Sequence, residues 1–233
     1  MQIEPGTYDG RRRFVGKSVL ITGGAGGMGR ALDAELRQRG YQTHLIDLPG
    51  PALDALDDLP DRTAHACDLT DTPAVQALCE TLRHTVPSLD LVIYNAGVTW
   101  VGPFDQLTEV THRKVFDINY FAAVNMARAL QDDLRQSRGT HLALSSVAGF
   151  APLVQRTAYA ASKHALEGFF KSLRAEERPF GVRCVIAAPS FVATNLGQPG
   201  TQTDGTSRPG SSADGIDYMS PEAAARIILN GLA

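Results

Sequence analysis

Five glycines fall within the seven positions Gly23 to Gly29, between an apolar run, Lys17 to Thr22, and a segment of helical periodicity, Arg30 to Arg39. Strand, glycine turn and helix in that order leave few folds open. Without a Cβ the chain can turn tightly and let a ligand approach its backbone. A helix that starts straight after the turn presents its positive end there, which suits a phosphate. The run therefore predicts a dinucleotide-binding turn, with Gly23, Gly27, Met28 and Gly29 as contacts. A flexible glycine loop is the alternative, and the periodic flanks on both sides argue against it. The spacing is Thr22-Gly23-x-x-x-Gly27-x-Gly29, which differs from the commoner G-x-G-x-x-G.

The next strand, Gln42 to Ile46, ends at Asp47, eighteen residues past Gly29. A carboxylate there accepts hydrogen bonds from adenosine ribose hydroxyls and repels a 2′-phosphate. No Arg or Lys stands within the glycine turn or directly after Asp47, so NAD is favoured over NADP, with Leu48 beside the carboxylate. Alternatively Asp47 merely begins the loop before Pro49. A third strand, Arg62 to Cys67, closes at Asp68-Leu69. Asp68 either meets the adenine amine or caps the helix near Thr72-Pro73, where Asp71 is the better cap. The fourth strand, Asp90 to Tyr94, runs into Asn95-Ala96-Gly97, small residues that suit backbone close to a cofactor or a plain turn.

Tyr159 and Lys163 lie four apart in an expected helix, Thr157 to Glu177, and so share one face. A cation beside a phenol favours the phenolate and brings it towards the range of a working base. Ser146 precedes Tyr159 by thirteen residues and follows an apolar run that reads as the fifth strand, Gly139 to Ser146. Its hydroxyl is placed to hold a substrate oxygen over the phenol. The bland alternative is an aromatic packed under a lysine stem.

Thr108 to Arg138 reads as one long helix with Asn119 inside it. An asparagine among apolar neighbours is uncomfortable unless its amide is paired. Spacing leaves two readings open: a local break that holds a relay water, or a surface residue. A sixth strand, Val182 to Ala188, stops at Pro189, and a last helix, Pro221 to Leu232, is capped by Ser220.

Bulk properties exclude several classes. A 233-residue chain with 43% hydrophobic residues suits one α/β domain, and a formal net charge of −3 argues against nucleic acid or an anionic membrane surface. Arg11-Arg12-Arg13 is the one basic run and reads as part of a polar leader, residues 1–16. Cys67, Cys79 and Cys184 have no metal-ligand spacing and read as reduced thiols, and no metal site is expected. With no apolar signal core or membrane-length stretch, the expected location is cytoplasmic. Residues 195–218 are rich in Gly, Ser, Thr, Pro and Asp and read as a substrate lid.

Taken together, Thr-Gly-x-x-x-Gly-x-Gly at 22–29, Asp68, Asn-Ala-Gly at 95–97, Asn119, Ser146 and Tyr-x-x-x-Lys at 159–163 resemble the short-chain dehydrogenase/reductase family. The resemblance implies a doubly wound parallel sheet, Rossmann-like, in a single domain over residues 17–233. It implies Tyr159 as catalytic acid/base, Lys163 as ribose ligand and pKa-lowering cation, and Ser146 as the group orienting the substrate oxygen. Asn119 would hold a relay water through a distorted helix. Pro189, Val192 and Thr194 would line the nicotinamide site with Asn95, Ala96 and Gly97. Two departures stand out: Ser190 replaces the family's usual glycine after Pro189, and the family's usual strand after the last helix is absent. A homodimer or homotetramer is the expected assembly.

The function these residues predict is NAD-dependent interconversion of a secondary alcohol and a ketone. The expected substrate is a small, moderately apolar molecule contacting Trp100, Ser146, Phe150, Val154 and Phe191, with Val98 and Leu153 nearby. Arg156 is expected to face solvent rather than an anionic group. The alternatives are an NADP-linked carbonyl reductase and a catalytically idle dinucleotide-binding module. An idle module is expected to lose Tyr159, Lys163 or Ser146, and all three are present.

Overall fold

The computed structural model describes residues 17–57, 59–194 and 218–232. The leader at 1–16, and the expected lid apart from Tyr218, lie outside the described residues. Six short strands, β1 (Ser18–Thr22), β2 (Gln42–Asp47), β3 (Arg62–Ala66), β4 (Leu91–Tyr94), β5 (Thr140–Leu144) and β6 (Arg183–Ala187), form one sheet in the order β3-β2-β1-β4-β5-β6. Every pairing in it is parallel. Parallel neighbours need crossovers, and these are the helices α1 (Gly27–Gln38), α2 (Pro51–Asp54), α3 (Thr72–Thr85), α4 (Glu109–Phe116), α5 (Ala122–Ala129), α6 (Gln131–Ser137) and α7 (Thr157–Glu177). A last helix, α8 (Pro221–Asn230), follows. Among the described residues no strand comes after it.

Side chains alternate across a strand, so each central strand feeds two cores. Leu20, Val92, Tyr94 and Ala143 pack under α3, α5, α6 and α7, together with Met126, Leu134, Leu166 and Phe170. Val19, Ile21, Ile93 and Leu142 face the other way, against Leu32 and Leu36 of α1 and Leu229 of α8. Each such fully buried side chain contributes about 1.5–3 kcal/mol, so both faces are needed to hold so short a sheet. The fold is a doubly wound α/β domain, as the glycine turn and the family resemblance imply.

Helix starts follow local chemistry. Asp71 accepts from Ala74 N at 3.3 Å, Thr108 from Thr111 N at 3.1 Å and Ser220 from Ala223 N at 3.1 Å, each satisfying a donor the helix cannot. The stretch expected as one helix from Thr108 to Arg138 is three. A π-helical turn, Asp117–Phe121, separates α4 from α5, with Ala122 N donating to Asp117 O. Leu130, at φ −107° and ψ 9°, then separates α5 from α6. The short α2 after Pro49 was not legible from periodicity. Cys67, Cys79 and Cys184 are buried, unbridged thiols, and burial pushes Cys79 up to about 12, far from the thiolate that reacts.

Candidate functional site

Strand order reverses between β1 and β4, since the chain proceeds outward from β1 to β3 and then returns to the other side. At the carboxyl ends of such strands the loops diverge and leave a crevice. A cavity of about 710 Å³ sits there, walled by Gly23, Gly26, Gly27, Met28, Asp47, Leu48, Asp68, Leu69, Asn95, Ala96, Gly97, Val98 and Thr194. Gly29 is not on this wall. A Cβ on it would come within 2.2 Å of Gly23 O, so its role is to let α1 begin close against the turn. Gly23 has φ +65°, which favours glycine, and a Cβ there would meet Ala96 Cα at 2.8 Å.

Polar bonds lock the crevice floor. Thr22 Oγ1 accepts from Asn95 N and Ala96 N, both at 3.0 Å, and Asn95 Nδ2 donates to Thr22 O and Gly23 O, both at 2.9 Å. Asn95 is thus a clasp between β4 and the glycine turn. Asp47 Oδ2 accepts from Ala25 N at 2.9 Å and Oδ1 from Leu48 N at 2.9 Å. The carboxylate supports the turn and still lines the cavity, with lone pairs for further donors. Asp68 Oδ1 accepts from Thr70 N at 2.9 Å and Thr70 Oγ1 at 2.7 Å, so it shapes its own loop and leaves the cap of α3 to Asp71.

A second cavity of about 130 Å³ adjoins the first. Met28, Asn95, Gly97 and Thr194 belong to both walls, and Ser146, Leu153, Arg156, Tyr159, Lys163, Pro189, Ser190, Phe191 and Val192 belong to the second. Lys163 is buried under the Tyr159 ring, its Nζ 5.8 Å from the ring centroid. Nζ donates to Leu144 O at 2.7 Å, and burial pushes the ammonium down to about 8. Ser146 Oγ accepts from Ala148 N at 3.2 Å, which fixes the oxygen as the cap of a short 3-10 turn and leaves the hydroxyl hydrogen to donate.

Asn119 lies at the π-helical turn and is buried. Its Oδ1 accepts from Val98 N at 2.8 Å, while Nδ2 donates to Val98 O at 2.9 Å and Ser162 Oγ at 3.0 Å. Ser162 Oγ in turn donates to Tyr159 O at 2.8 Å. The surface reading of Asn119 is therefore set aside. The amide ties the loop after β4 to the helix that carries Tyr159, and both of its donor hydrogens are engaged.

Three of the expected substrate contacts lie off the second cavity's described wall. Trp100 is buried against Val115 and Ala158, because the loop folds its indole over Gly102. Phe150 and Val154 point outward, 63% and 89% exposed. Arg156 is corrected in the other direction. It lines the cavity, and its Nη1 donates to Thr99 Oγ1 at 3.1 Å.

Comparison with known proteins places this geometry. The family model described as short chain dehydrogenase matches residues 17–205. The chain belongs to the short-chain dehydrogenase family. It is 35% identical to a 1-deoxy-11-beta-hydroxypentalenate dehydrogenase of Streptomyces avermitilis, covering 92% of this chain and 80% of that protein. It is 32% identical to Dehydrogenase/reductase SDR family member 7B of Xenopus laevis over 71% of this chain, and spans only 51% of that relative's length. A solved short-chain dehydrogenase from Streptomyces avermitilis superposes with TM-score 0.79 at 28% identity, covering 93% of this chain and 84% of that one. Two structures under 25% identical share the fold. One, from Burkholderia phymatum, is in complex with NAD (TM-score 0.80, 21% identity, 94% and 86% covered). The other, from Burkholderia cenocepacia, is in complex with NADP (0.79, 23%, 94% and 84%).

The short-chain dehydrogenase crevice fits a nicotinamide dinucleotide. Side-chain-free backbone at Gly26 and Gly27 borders a volume of about 710 Å³, on the scale of pockets that hold drug-sized ligands, and a carboxylate stands at its β2 end. Sequence reasoning missed part of the wall. Val110, Arg113, Lys114, Asp117 and Ile118 also line it, brought over by α4 and the π-helical turn that follows it. It also missed Ser162, at an unspecified position between Tyr159 and Lys163, and the clasp made by the hydroxyl of Thr22, a residue of the glycine motif whose bonds to Asn95 N and Ala96 N no spacing marks. Among the described residues no helix is long and apolar enough to cross a membrane.

Proposed function

We propose that this short-chain dehydrogenase interconverts a secondary alcohol and a ketone, with NAD as the preferred dinucleotide and Tyr159 as general acid/base. The observation that carries the reading is the buried Lys163 ammonium beneath the Tyr159 ring, in a cavity that Ser146 shares and that opens onto the dinucleotide-sized crevice. Gly23, Gly27, Met28, Asp47, Leu48, Asp68, Leu69, Asn95, Ala96, Gly97 and Thr194 would hold the dinucleotide, and Pro189, Val192 and Lys163 would flank its nicotinamide end. A bound nicotinamide supplies the hydride acceptor for the alcohol and, when reduced, the donor for the ketone.

In the oxidising direction the Tyr159 phenolate oxygen takes the proton of the alcohol O–H. Ser146 donates a hydrogen bond to the same substrate oxygen, which fixes it over the phenol. The Lys163 charge favours the phenolate and is worth more in a buried site than in water. Asn119, with its amide consumed by Val98 and Ser162, acts as a positioning residue that keeps the Tyr159 turn against the loop after β4. In the reducing direction the phenol returns the proton to the carbonyl oxygen. Positioning and a tuned proton acceptor supply the acceleration.

NAD is favoured because the Asp47 carboxylate occupies the β2 end of the crevice, where a 2′-phosphate would meet like charge. A second reading, NADP, is supported by Arg113 and Lys114 on the same cavity wall. Titration of the purified protein with NADH and, separately, NADPH decides between them, read by nicotinamide fluorescence and thermal shift. Tighter NADH binding is expected, with Asp47→Arg reversing the preference. Tighter NADPH binding by the unaltered protein favours the second reading. Binding of neither overturns both readings, and binding without turnover of any alcohol or ketone returns the idle-module alternative.

A further inference from the structure

The turn that leads into α7 has an uncommon backbone. Gln155 sits at φ +61°, one of two non-glycine residues with positive φ among those described. Such strain persists where the surroundings over-determine it, and it concentrates around functional sites. Two bonds hold this turn to the loop after β4. Gly102 N donates to Gln155 O at 2.9 Å, and Arg156 Nη1 donates to Thr99 Oγ1 at 3.1 Å. Thr99 is fully buried, and Trp100 folds over Gly102 so closely that a Cβ there would lie 2.5 Å from the ring. Loop and turn therefore form one unit, and its product is an arginine placed in the wall of the second cavity with Ser146, Tyr159 and Phe191.

Among the described residues the charge on that wall is of one sign. Its described residues include two cations, Arg156 and Lys163, and no acidic side chain. Lys163 stands behind the Tyr159 ring with Nζ committed to Leu144 O. Arg156 is confined to the second cavity, whereas Met28, Asn95, Gly97 and Thr194 mark the junction with the dinucleotide crevice. It therefore belongs to the substrate side. An arginine keeps its charge at every working pH, and its planar fork matches a carboxylate. Leu153, Val147 and Phe191 supply apolar wall for a hydrocarbon body.

We propose that Arg156 is the specificity-determining residue of the substrate cavity, pairing with a carboxylate on the substrate, so that the protein acts on hydroxy acids and keto acids in preference to neutral alcohols and ketones. The proposal rests on the oxidoreductase reading above, and within it requires only the charge of Arg156 and its placement.

The test gives the purified protein and its reduced dinucleotide two keto acids, 5-oxohexanoate and 4-oxocyclohexanecarboxylate, each beside its methyl ester. The acids are expected to have the higher kcat/KM by about tenfold or more. Arg156→Gln, which keeps a donor for Thr99, is expected to lower kcat/KM for the acids about 100-fold, mainly through KM, and to change the esters less than about twofold. Arg156→Lys is expected to restore part of the loss. Esters reduced as well as acids, or a variant that slows both alike, overturn the assignment and leave the oxidoreductase reading standing. Reduction of neither class counts against the oxidoreductase reading. The arginine is then judged by calorimetric binding of the two acids: binding about tenfold weaker in Arg156→Gln sustains it, and equal or absent binding overturns it.

Discussion

The crevice over β1 and β2 and the cavity over β4, β5 and α7 are joined, yet they are made differently. The first is shaped by missing side chains and by backbone: Gly26 and Gly27 on its wall, Gly29 packed at 2.2 Å from Gly23 O if it carried a Cβ, and Asn95 bonding carbonyls. The second is shaped by polar side chains that are present: Ser146, Tyr159 and Lys163, all buried, and Arg156, partly exposed. A backbone site tolerates few additions, and a side-chain site tolerates few deletions. Substitutions on the two sides should therefore fail in different observables, binding and stability on one, turnover on the other.

The largest expected effect tests the side-chain half. Tyr159→Phe should lower turnover by about 10³-fold while leaving the dinucleotide Kd within about twofold, measured by steady-state assay and fluorescence titration. Loss of both together would break the distinction. Next comes the core under the sheet, where Tyr94 Oη and His141 Nδ1 share a 2.6 Å bond beside Phe170. His141 is fully buried, and burial holds its imidazole down to about 4 from 6.5, with His44 on β2 shifted the same way. Between those values the unfolded chain binds more protons, so stability is full above pH 6.5 and falls as pH drops towards 4. His141 alone accounts for up to about 3 kcal/mol of that loss. Urea unfolding at pH 7 and pH 4.5 measures it, and equal stabilities would contradict the buried neutral state.

Glycines sharpen the contrast further. Gly29→Ala should cost about 1–3 kcal/mol and weaken dinucleotide binding, because backbone rather than a movable side chain occupies the space. Gly168→Ala, in α7 with nothing within 4 Å of the added Cβ, should stabilise by about 0.5–1 kcal/mol and leave binding alone. Thermal unfolding with and without dinucleotide separates the two. The smallest effect is expected at Phe150 and Val154, where truncation to Ala should shift stability by no more than about 0.5 kcal/mol and kcat/KM by less than twofold. A tenfold loss of kcat/KM there would return them to the substrate wall.

What was legible in the sequence divides along the same line. The glycine turn, the Asp71, Thr108 and Ser220 caps, and the Tyr159–Lys163 spacing are local patterns whose geometry follows from a few neighbouring residues, and the fold could be read from them. The break in the helix after Thr108 was half legible, through the discomfort of Asn119. What pairs with that amide is Val98, twenty-one residues earlier, and no local pattern names it. The cavity wall was least legible. Where Arg156 faces is set with Gly102 and Thr99, which lie about fifty residues from the turn they hold, and Trp100 folds over Gly102 itself. Hydrophobic character nominated Trp100, Phe150 and Val154, which do not line the cavity, while Arg156, expected to face solvent, joins Lys163 on the wall.

The π-helical turn at Asp117–Phe121 has a consequence for how the chain is counted. One residue beyond the α-helical repeat rotates everything after it by roughly 100° relative to everything before. Val110, Arg113 and Lys114 before the step and Asp117 and Ile118 within it line the crevice; Ala122, directly after it, borders both crevice and core, and Ala123 and Met126 lie in the core beneath the sheet. The turn works as a phase change written into the chain, and shortening this segment by one residue would leave every later side chain correct in type and wrong in direction.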